Sequence, residues 1–259
     1  MRIWWGELNK GKVYLVGAGP GDPGLMSVIA LKTLKNADVV VYDRLIGKKI
    51  LEKIPKKAEK LYVGKSSGNH SVTQDNIGRI LVEKAHEGKK VVRLKGGDPF
   101  LFGRGGEEAE ELVKAGLKFE VIPGITSAIA VPTYAGIPVT HRDYSSSVAI
   151  VTGHEKRSKG KVSVDWGKIA TAVDTIVVLM GIENLDEITK ALINGGLSRE
   201  TPAALIEWGT TSQQRTTQST LQNIARKAIS ENVKPPGVLV IGEVVNLRKD
   251  LSWFEGELK

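Results

Sequence analysis

The chain has 259 residues, 41% hydrophobic and 25% charged, an ordinary balance for a water-soluble globular protein. It holds no cysteine, which excludes disulfides, thiolate metal centres and cysteine nucleophiles, and no apolar run long enough to span a bilayer. The net charge of +8 admits nucleic acid, an acidic membrane surface or a polyanionic small molecule as partner. No recognition helix, zinc finger or RNA-binding signature accompanies it, and the opening MRIWWGELNKGK lacks the apolar core and cleavage site of a signal peptide. A cytoplasmic protein with neither nucleic-acid nor membrane partners is expected.

In chain order, residues 13–16 predict a short strand, and Leu25, Val28, Ile29 and Leu34 fall on one face of a helix. Residues 38–42 (DVVVY) predict a strand apolar on both faces, as at the centre of a parallel sheet. A third strand follows at 60–63. Ser71 and Gln74 form a capping box; Ile77, Ile80, Leu81 and Ala85 then keep helical spacing up to Gly88. Residues 90–95 (KVVRLK) are the next strand, 106–115 a helix closed by Gly116, and 118–122 a fifth strand. This alternation predicts an α/β fold with a parallel sheet covered on both faces. Pro123-Gly124 marks a boundary. Beyond it come a short helix near 126–135, a break at Gly136-Ile137-Pro138, strands at 147–152 and 175–179, a helix near 184–193, and strands at 203–207 and 238–241. The segment 156–161 (KRSKGK) reads as a solvated loop. The expected division is an N-terminal extension over 1–11, an N-terminal α/β domain over 12–124 and a C-terminal α/β domain over 125–259.

Three loops at the carboxyl ends of first-half strands are rich in glycine: 17–23 (GAGPGDP), 96–108 (GGDPFLFGRGGEE) and 123–127 (PGITS). Ligands bind open α/β sheets at that edge, and glycines there mean tight turns or close backbone approach. Gly19, Gly21 and Gly24 fit G-x-G-x-x-G, with Asp43 about 20 residues on, the outline of a dinucleotide-binding turn. The residues between the glycines oppose that reading. Pro20 and Pro23 lack N–H donors, and Asp22 puts a carboxylate where a pyrophosphate would lie. Two like charges at ~4 Å repel by roughly 1 kcal/mol in water and several-fold more when partly desolvated. His70, His86, His141 and His154 do not keep metal-ligand spacing, so no metal is expected. His141-Arg142-Asp143 lacks the following Asn and the glycine-rich lid of a kinase catalytic loop.

Taken together, VYLVGAGPGDPGL, ADVVVYDRL, YVGKSSGNH, VVRLKGGDPFLFGRGGEE, VIPGITSA, AGIPVTHRDYSSSVAIVTGH, LMGI and the closing GEVVNLR resemble the tetrapyrrole (corrin/porphyrin) methyltransferases, a class III S-adenosylmethionine-dependent group, over about residues 12–254. The resemblance implies two α/β domains with a ligand cleft between them, the N-terminal sheet parallel and the C-terminal one mixed. It implies S-adenosylmethionine as cofactor, uroporphyrinogen III as substrate, methylation at C2 and C7 to give precorrin-2 for sirohaem or cobalamin-type rings, and a homodimer. An alternative within the fold is another precorrin methyltransferase; an NAD-dependent oxidoreductase is a third reading.

The resemblance also assigns residues. Pro20, Gly96, Gly97, Asp98, Leu101, Thr126, Ser127, Met180 and Gly209 match cofactor-contacting positions, largely through backbone groups. Asp98 suits a ribose hydroxyl or the amino group, or else forms an Asx-Pro turn. Asp43 matches the family's proposed proton acceptor and Lys65 its proposed donor. Arg104, Glu107 and Arg142 match substrate-binding or deprotonating positions, and Met180 a residue lying against both ligands. Asp43 and Arg104 are rival bases, an arginine base being awkward because of its high pKa. Leu179 replaces the family's usual aromatic before Met-Gly, and Leu101 stands where Ile is frequent. Trp4 and Trp5 lie in the extension, outside the family pattern.

Overall fold

The apolar runs of the first half become parallel strands, and the amphipathic runs between them become the helices that cover them. The computed structural model describes residues 11–64, 74–154 and 164–254, and the chain divides into two units, Met1–Thr126 and Ser127–Lys259. In the first unit, β1 (Lys12–Gly17), α1 (Val28–Lys35), β2 (Val39–Tyr42), α2 (Lys48–Leu51), β3 (Glu59–Tyr62), α3 (Gln74–His86), β4 (Lys90–Lys95), α4 (Gly105–Lys114) and β5 (Phe119–Ile122) follow one another. The strands form one sheet in the order β3-β2-β4-β1-β5, all pairings parallel. Successive residues of a strand face opposite sides, and both sides are apolar here. Val16, Val40, Val92 and Leu94 pack with Ala30 and Leu34 of α1 and Ile50 of α2. Val13, Leu15, Val39, Val41 and Val91 pack with Ile77, Leu81 and Ala85 of α3 and with Ala109 and Leu112 of α4.

The strand order fixes where a ligand can sit. The connection leaving β1 passes over β4 to reach β2, whereas the connection leaving β4 passes over β1 to reach β5. The carboxyl ends of the neighbours β1 and β4 are therefore a topological switch point, the crevice in which open α/β sheets bind ligands.

The first helix differs from its sequence expectation. Asp22 caps a single 3-10 turn, Pro23–Leu25, its Oδ1 accepting the Gly24 N–H at 2.7 Å. A second cap, Ser27, then starts α1, its Oγ accepting the Ala30 N–H. Two caps in succession reset the helical phase. Ala30 and Leu34 turn inward, while Val28 and Ile29 are 70% and 52% exposed. Ser71 of the expected capping box and the 156–161 loop lie outside the described residues.

The second unit contains α5 (Ser127–Tyr134), β6 (Val148–Thr152), α6 (Trp166–Ala172), β7 (Thr175–Leu179), α7 (Leu185–Asn194), β8 (Pro202–Glu207), β9 (Arg215–Thr220), α8 (Ile224–Ser230), β10 (Gly237–Ile241) and, after a 3-10 turn, α9 (Arg248–Leu251). Its sheet runs β6-β7-β10-β8-β9 and is mixed: β6 and β7 are parallel, and the remaining pairs are antiparallel. Ile176, Val178, Leu205, Leu239 and Ile241 form its core with Leu185, Ile188 and Leu192 of α7 and Ile224 of α8. Three of these elements escape hydrophobic periodicity. β9 (RTTQST) is an edge strand bonded only to β8 and needs no apolar alternation. The short α6 and α8 bury one and three residues respectively, too few to set a helical pattern. Among the described residues no helix is long and apolar enough to cross a membrane.

Candidate active site

Three glycine loops meet at the switch point of the first unit. Gly19 and Gly97 exchange backbone hydrogen bonds, 3.2 Å from the Gly19 N–H to the Gly97 carbonyl and 2.8 Å in return, and the Ala18 N–H donates to the Lys95 carbonyl at 2.8 Å. Gly17 lies so close that a Cβ on it would stand 2.5 Å from Gly124 Cα and 2.7 Å from the Gly97 oxygen. Gly97 itself has φ +65°, the left-handed region that only glycine enters freely. Backbone contact of this kind tolerates no side chain, which explains glycine at all three positions.

The same contacts disarm the first loop as a phosphate cradle. Such a cradle needs several free N–H groups pointing at the anion. Here the Ala18 and Gly19 donors are used by the β4 loop, those of Gly24 and Leu25 by Asp22, and Pro20 and Pro23 have none. The G-x-G-x-x-G spacing is therefore the by-product of a strand-to-helix turn, and the dinucleotide reading falls with it.

Asp98 organises the second loop. Its Oδ1 accepts the N–H groups of Phe100 and Leu101 at 2.8 and 3.0 Å, and its Oδ2 accepts the Gly124 N–H at 3.1 Å. The Asx-Pro turn expected from sequence is present, and the carboxylate also ties the third loop to the second. A carboxylate has about four acceptor sites, so capacity remains for a ligand. Gly96 abuts Leu45, where a Cβ would meet Leu45 Cβ at 3.0 Å. Pro20 and Leu101 are half-buried along this edge.

Asp43 stands at the carboxyl end of β2, a quarter exposed. Its Oδ1 accepts the Leu45 N–H at 3.1 Å, and its Oδ2 pairs with Arg93 NH2 at 3.1 Å. Behind it lies a buried ionic cluster that the sequence reading missed. Arg93 Nε donates to Glu108 Oε1 at 3.2 Å and Lys95 Nζ to the same oxygen at 2.8 Å, and Gln74 adds a third donor at 3.1 Å. Glu108 Oε2 is buried with no hydrogen-bond partner. Burying an ion costs several kcal/mol, and an orphaned polar atom about 1–3 kcal/mol. Burial, and then the like charge of Arg93, push the Lys95 ammonium below its ordinary 10.5, while Glu108 opposes the shift. The overlooked signal was periodicity: Arg93 and Lys95 alternate onto one face of a strand that is otherwise apolar.

Arg104 and Glu107 lie on the outer side of the first turn of α4. Arg104 Nε reaches both Glu107 oxygens, at 3.0 and 3.1 Å, and NH2 closes the fork on Oε2. Both are more than half exposed. The hydrogen bond to Glu107 pushes the Arg104 guanidinium above its ordinary value. Arg104 also holds φ +60°, a strained left-handed conformation for a non-glycine residue. Lys65 lies outside the described residues, as do Trp4 and Trp5.

In the second unit, Met180 and Gly209 share one sheet edge, at the carboxyl ends of β7 and β8. Met180 is half exposed at φ +56°, and Trp208, following β8 on the same edge, is exposed at φ +49°. Gly209 lacks a side chain because Val131 of α5 fills the space. Leu179 is buried, on the face of β7 opposite Val178. Arg142 is elsewhere. It sits in the turn closed by His141 and Ser145, and Ser145 bonds Thr175 at the amino end of β7. From Thr175 to Leu179 the strand spans about 13 Å at ~3.3 Å per residue, so the structure puts Arg142 and Met180 at opposite ends of this sheet. Thr126 closes the first unit and Ser127 opens α5.

The sequence pattern of the tetrapyrrole (corrin/porphyrin) methylases matches residues 12–225. The chain is 59% identical over 238 residues to the uroporphyrinogen-III C-methyltransferase of Methanocaldococcus jannaschii, with 92% of this chain and 98% of that one covered. It is 52% identical over 249 residues to the protein of the same name from Bacillus subtilis, with 96% of each covered. The crystal structure of uroporphyrin-III C-methyl transferase from Thermus thermophilus complexed with S-adenyl homocysteine aligns at TM-score 0.79 and 40% identity, across 92% of this chain and 100% of that one. A parallel and a mixed sheet in sequence, glycine loops meeting at a switch point, and similarity along nearly the whole length agree: the chain belongs to the tetrapyrrole (corrin/porphyrin) methylases.

Proposed function

We propose that this chain transfers two methyl groups, from two molecules of S-adenosylmethionine, to C2 and C7 of uroporphyrinogen III and so forms precorrin-2. The observation that carries the reading is the 59% identity, over nearly its full length, to an enzyme named for that methylation. The donor set at the switch point fits the cofactor. Its first loop has four backbone N–H groups already engaged and two prolines without any, and it carries the Asp22 carboxylate, which suits a sulfonium nucleoside better than a bis-phosphate.

When bound, S-adenosylmethionine supplies an electrophilic methyl on a sulfonium leaving group. The chain's own residues do the rest. Pro20, the Gly96-Gly97-Asp98 turn, Leu101, Thr126 and Ser127 would hold the cofactor largely through main-chain groups, and Met180 and Gly209 are assigned to the same ligand. After the pyrrole carbon has taken the methyl, the ring must lose a proton. Asp43 is suited to receive it: an oriented, partly exposed carboxylate at the ligand edge. Arg104 is the poorer base, because Glu107 holds its proton more firmly. It keeps its charge and suits the substrate's carboxylates, which an arginine fork binds bidentately. Lys65 is assigned the complementary role of proton donor, and Glu107 and Arg142 further substrate contacts. We place the enzyme in the cytoplasm as a homodimer serving sirohaem or cobalamin-type synthesis.

The test is anaerobic incubation of uroporphyrinogen III with S-adenosylmethionine and the folded chain. The expected product is heavier by two methyl groups, carried on C2 and C7. Unmodified substrate, or methylation at other ring positions, refutes the assignment.

A further inference from the structure

We propose that Arg93 and Glu108 are positioning residues, which hold the Asp43 carboxylate in its working orientation from inside the core of the sheet. This inference rests on the reading of Asp43 as proton acceptor.

Arg93 lies on β4 opposite Val41 of β2. Its guanidinium grips the end of β2 twice: NH1 donates to the Val41 carbonyl at 3.5 Å, and NH2 donates to Asp43 Oδ2 at 3.1 Å. NH1 also donates to the Leu94 carbonyl at 3.0 Å, and Nε to Glu108 Oε1 at 3.2 Å. Three nitrogens are therefore fixed at once, and a planar fork held in this way has no freedom left to rotate. With Leu45 holding Oδ1, both oxygens of Asp43 are set.

Glu108 is the back support. It occupies the first turn of α4, where the helix N-terminus favours an anion. It draws Arg93, Lys95 and Gln74 onto a single oxygen. Its sequence neighbour Glu107 faces the other way and pairs with Arg104. One helical turn thus presents one carboxylate to the exposed side and one to the core.

Accessibility shows which member does chemistry. The side chains of Arg93, Lys95 and Glu108 are 4%, 5% and 1% exposed, whereas Asp43 is 25% exposed. Of its charged members, Asp43 is the most exposed, and it stands at the carboxyl end of β2, next to the β4 end where the glycine loops meet. Stability alone does not call for such a cluster, because well-packed apolar residues commonly replace buried ion pairs without loss.

A double-mutant cycle separates positioning from general support. Arg93→Met, Asp43→Asn and the double variant are compared by kcat, KM and melting temperature, with S-adenosylhomocysteine affinity measured by calorimetry. We expect Arg93→Met to lower kcat by about tenfold or more with cofactor affinity within about threefold. In the Asp43→Asn background the same change should cost less than about threefold further. Arg93→Lys, which keeps one charged contact, should recover part of the rate. Equal slowing by Arg93→Met in both backgrounds, or no slowing in either, overturns the inference and leaves the reading of Asp43 intact. An Asp43→Asn enzyme with unchanged kcat sinks that reading and the inference together. Should Arg93→Met fail to fold, Glu108→Gln, which keeps the shape and removes the charge, enters the same cycle with the same criteria.

Discussion

Gly124 has no room for a methyl group. A Cβ there would enter the Gly97 carbonyl oxygen and stand 2.7 Å from Gly17 Cα, both main-chain atoms that cannot swing aside. Its N–H is also one of the three donors that shape Asp98. Gly124→Ala should therefore lower stability by about 1–3 kcal/mol, the usual range for overpacking, and weaken S-adenosylhomocysteine binding as the 96–101 turn is displaced. Thermal melts and calorimetry check both, and an unchanged melt with unchanged affinity would show that the loops do not meet as described. At this scale sequence reasoning was uneven. Asp98 was readable as an Asx-Pro turn because its hydrogen bonds to Phe100 and Leu101 are local. Its bond to Gly124, across 26 residues, was not. The placement of Arg93 and Lys95 on one face of β4 was legible, but their partners Glu108 and Asp43, 13 to 50 residues away, were not.

Elements are held in register by contacts at their ends, and the entry to β6 and β7 shows how. Asp174, just before β7, accepts the Ser146 and Ser147 N–H groups at 2.8 and 3.1 Å and their hydroxyls at 3.0 and 2.8 Å. The Ser147 hydroxyl above all, with help from Ser146, holds the Asp174 carboxyl below its ordinary 3.8. A carboxyl whose folded pKa is depressed binds fewer protons folded than unfolded between the two values, so stability rises with pH there. The contribution is complete above 3.8 and is lost as pH falls through the folded value. Asp174→Asn should accordingly be less stable than the parent at neutral pH, with the gap closing as pH drops below 3.8. Denaturant titrations across that range measure it; a gap independent of pH would remove the linkage. The serines belong to the stretch THRDYSSSV, which drew attention as a substrate segment through Arg142. The structure gives its serines a plain structural task.

For the whole molecule, 37 basic residues against 29 acidic ones give a positive field around the chain. A tetrapyrrole bearing many carboxylates is steered by such a field, while a cofactor with little net charge is not. Raising the salt from about 0.05 to 0.5 M, which shortens the screening length from roughly 14 to 4 Å, should raise the KM for uroporphyrinogen severalfold and leave the S-adenosylhomocysteine Kd within about twofold. Steady-state kinetics and calorimetry at several salt concentrations test this. A salt-insensitive KM would confine substrate recognition to buried contacts.

The sequence by itself determined the strands of the first sheet, the glycine loops at their carboxyl ends, the absence of a usable phosphate cradle and the family motifs. These are local properties: apolar runs, turn chemistry and missing N–H groups act within a few residues. Tertiary structure alone decided the existence of the polar edge strand 215–220 and the opposite placement of Arg142 and Met180. It also decided the ionic support behind Asp43. Each of these depends on which strand lies beside which, and pairing order is set by packing between segments far apart in the chain, where the periodicity of any one segment carries no information.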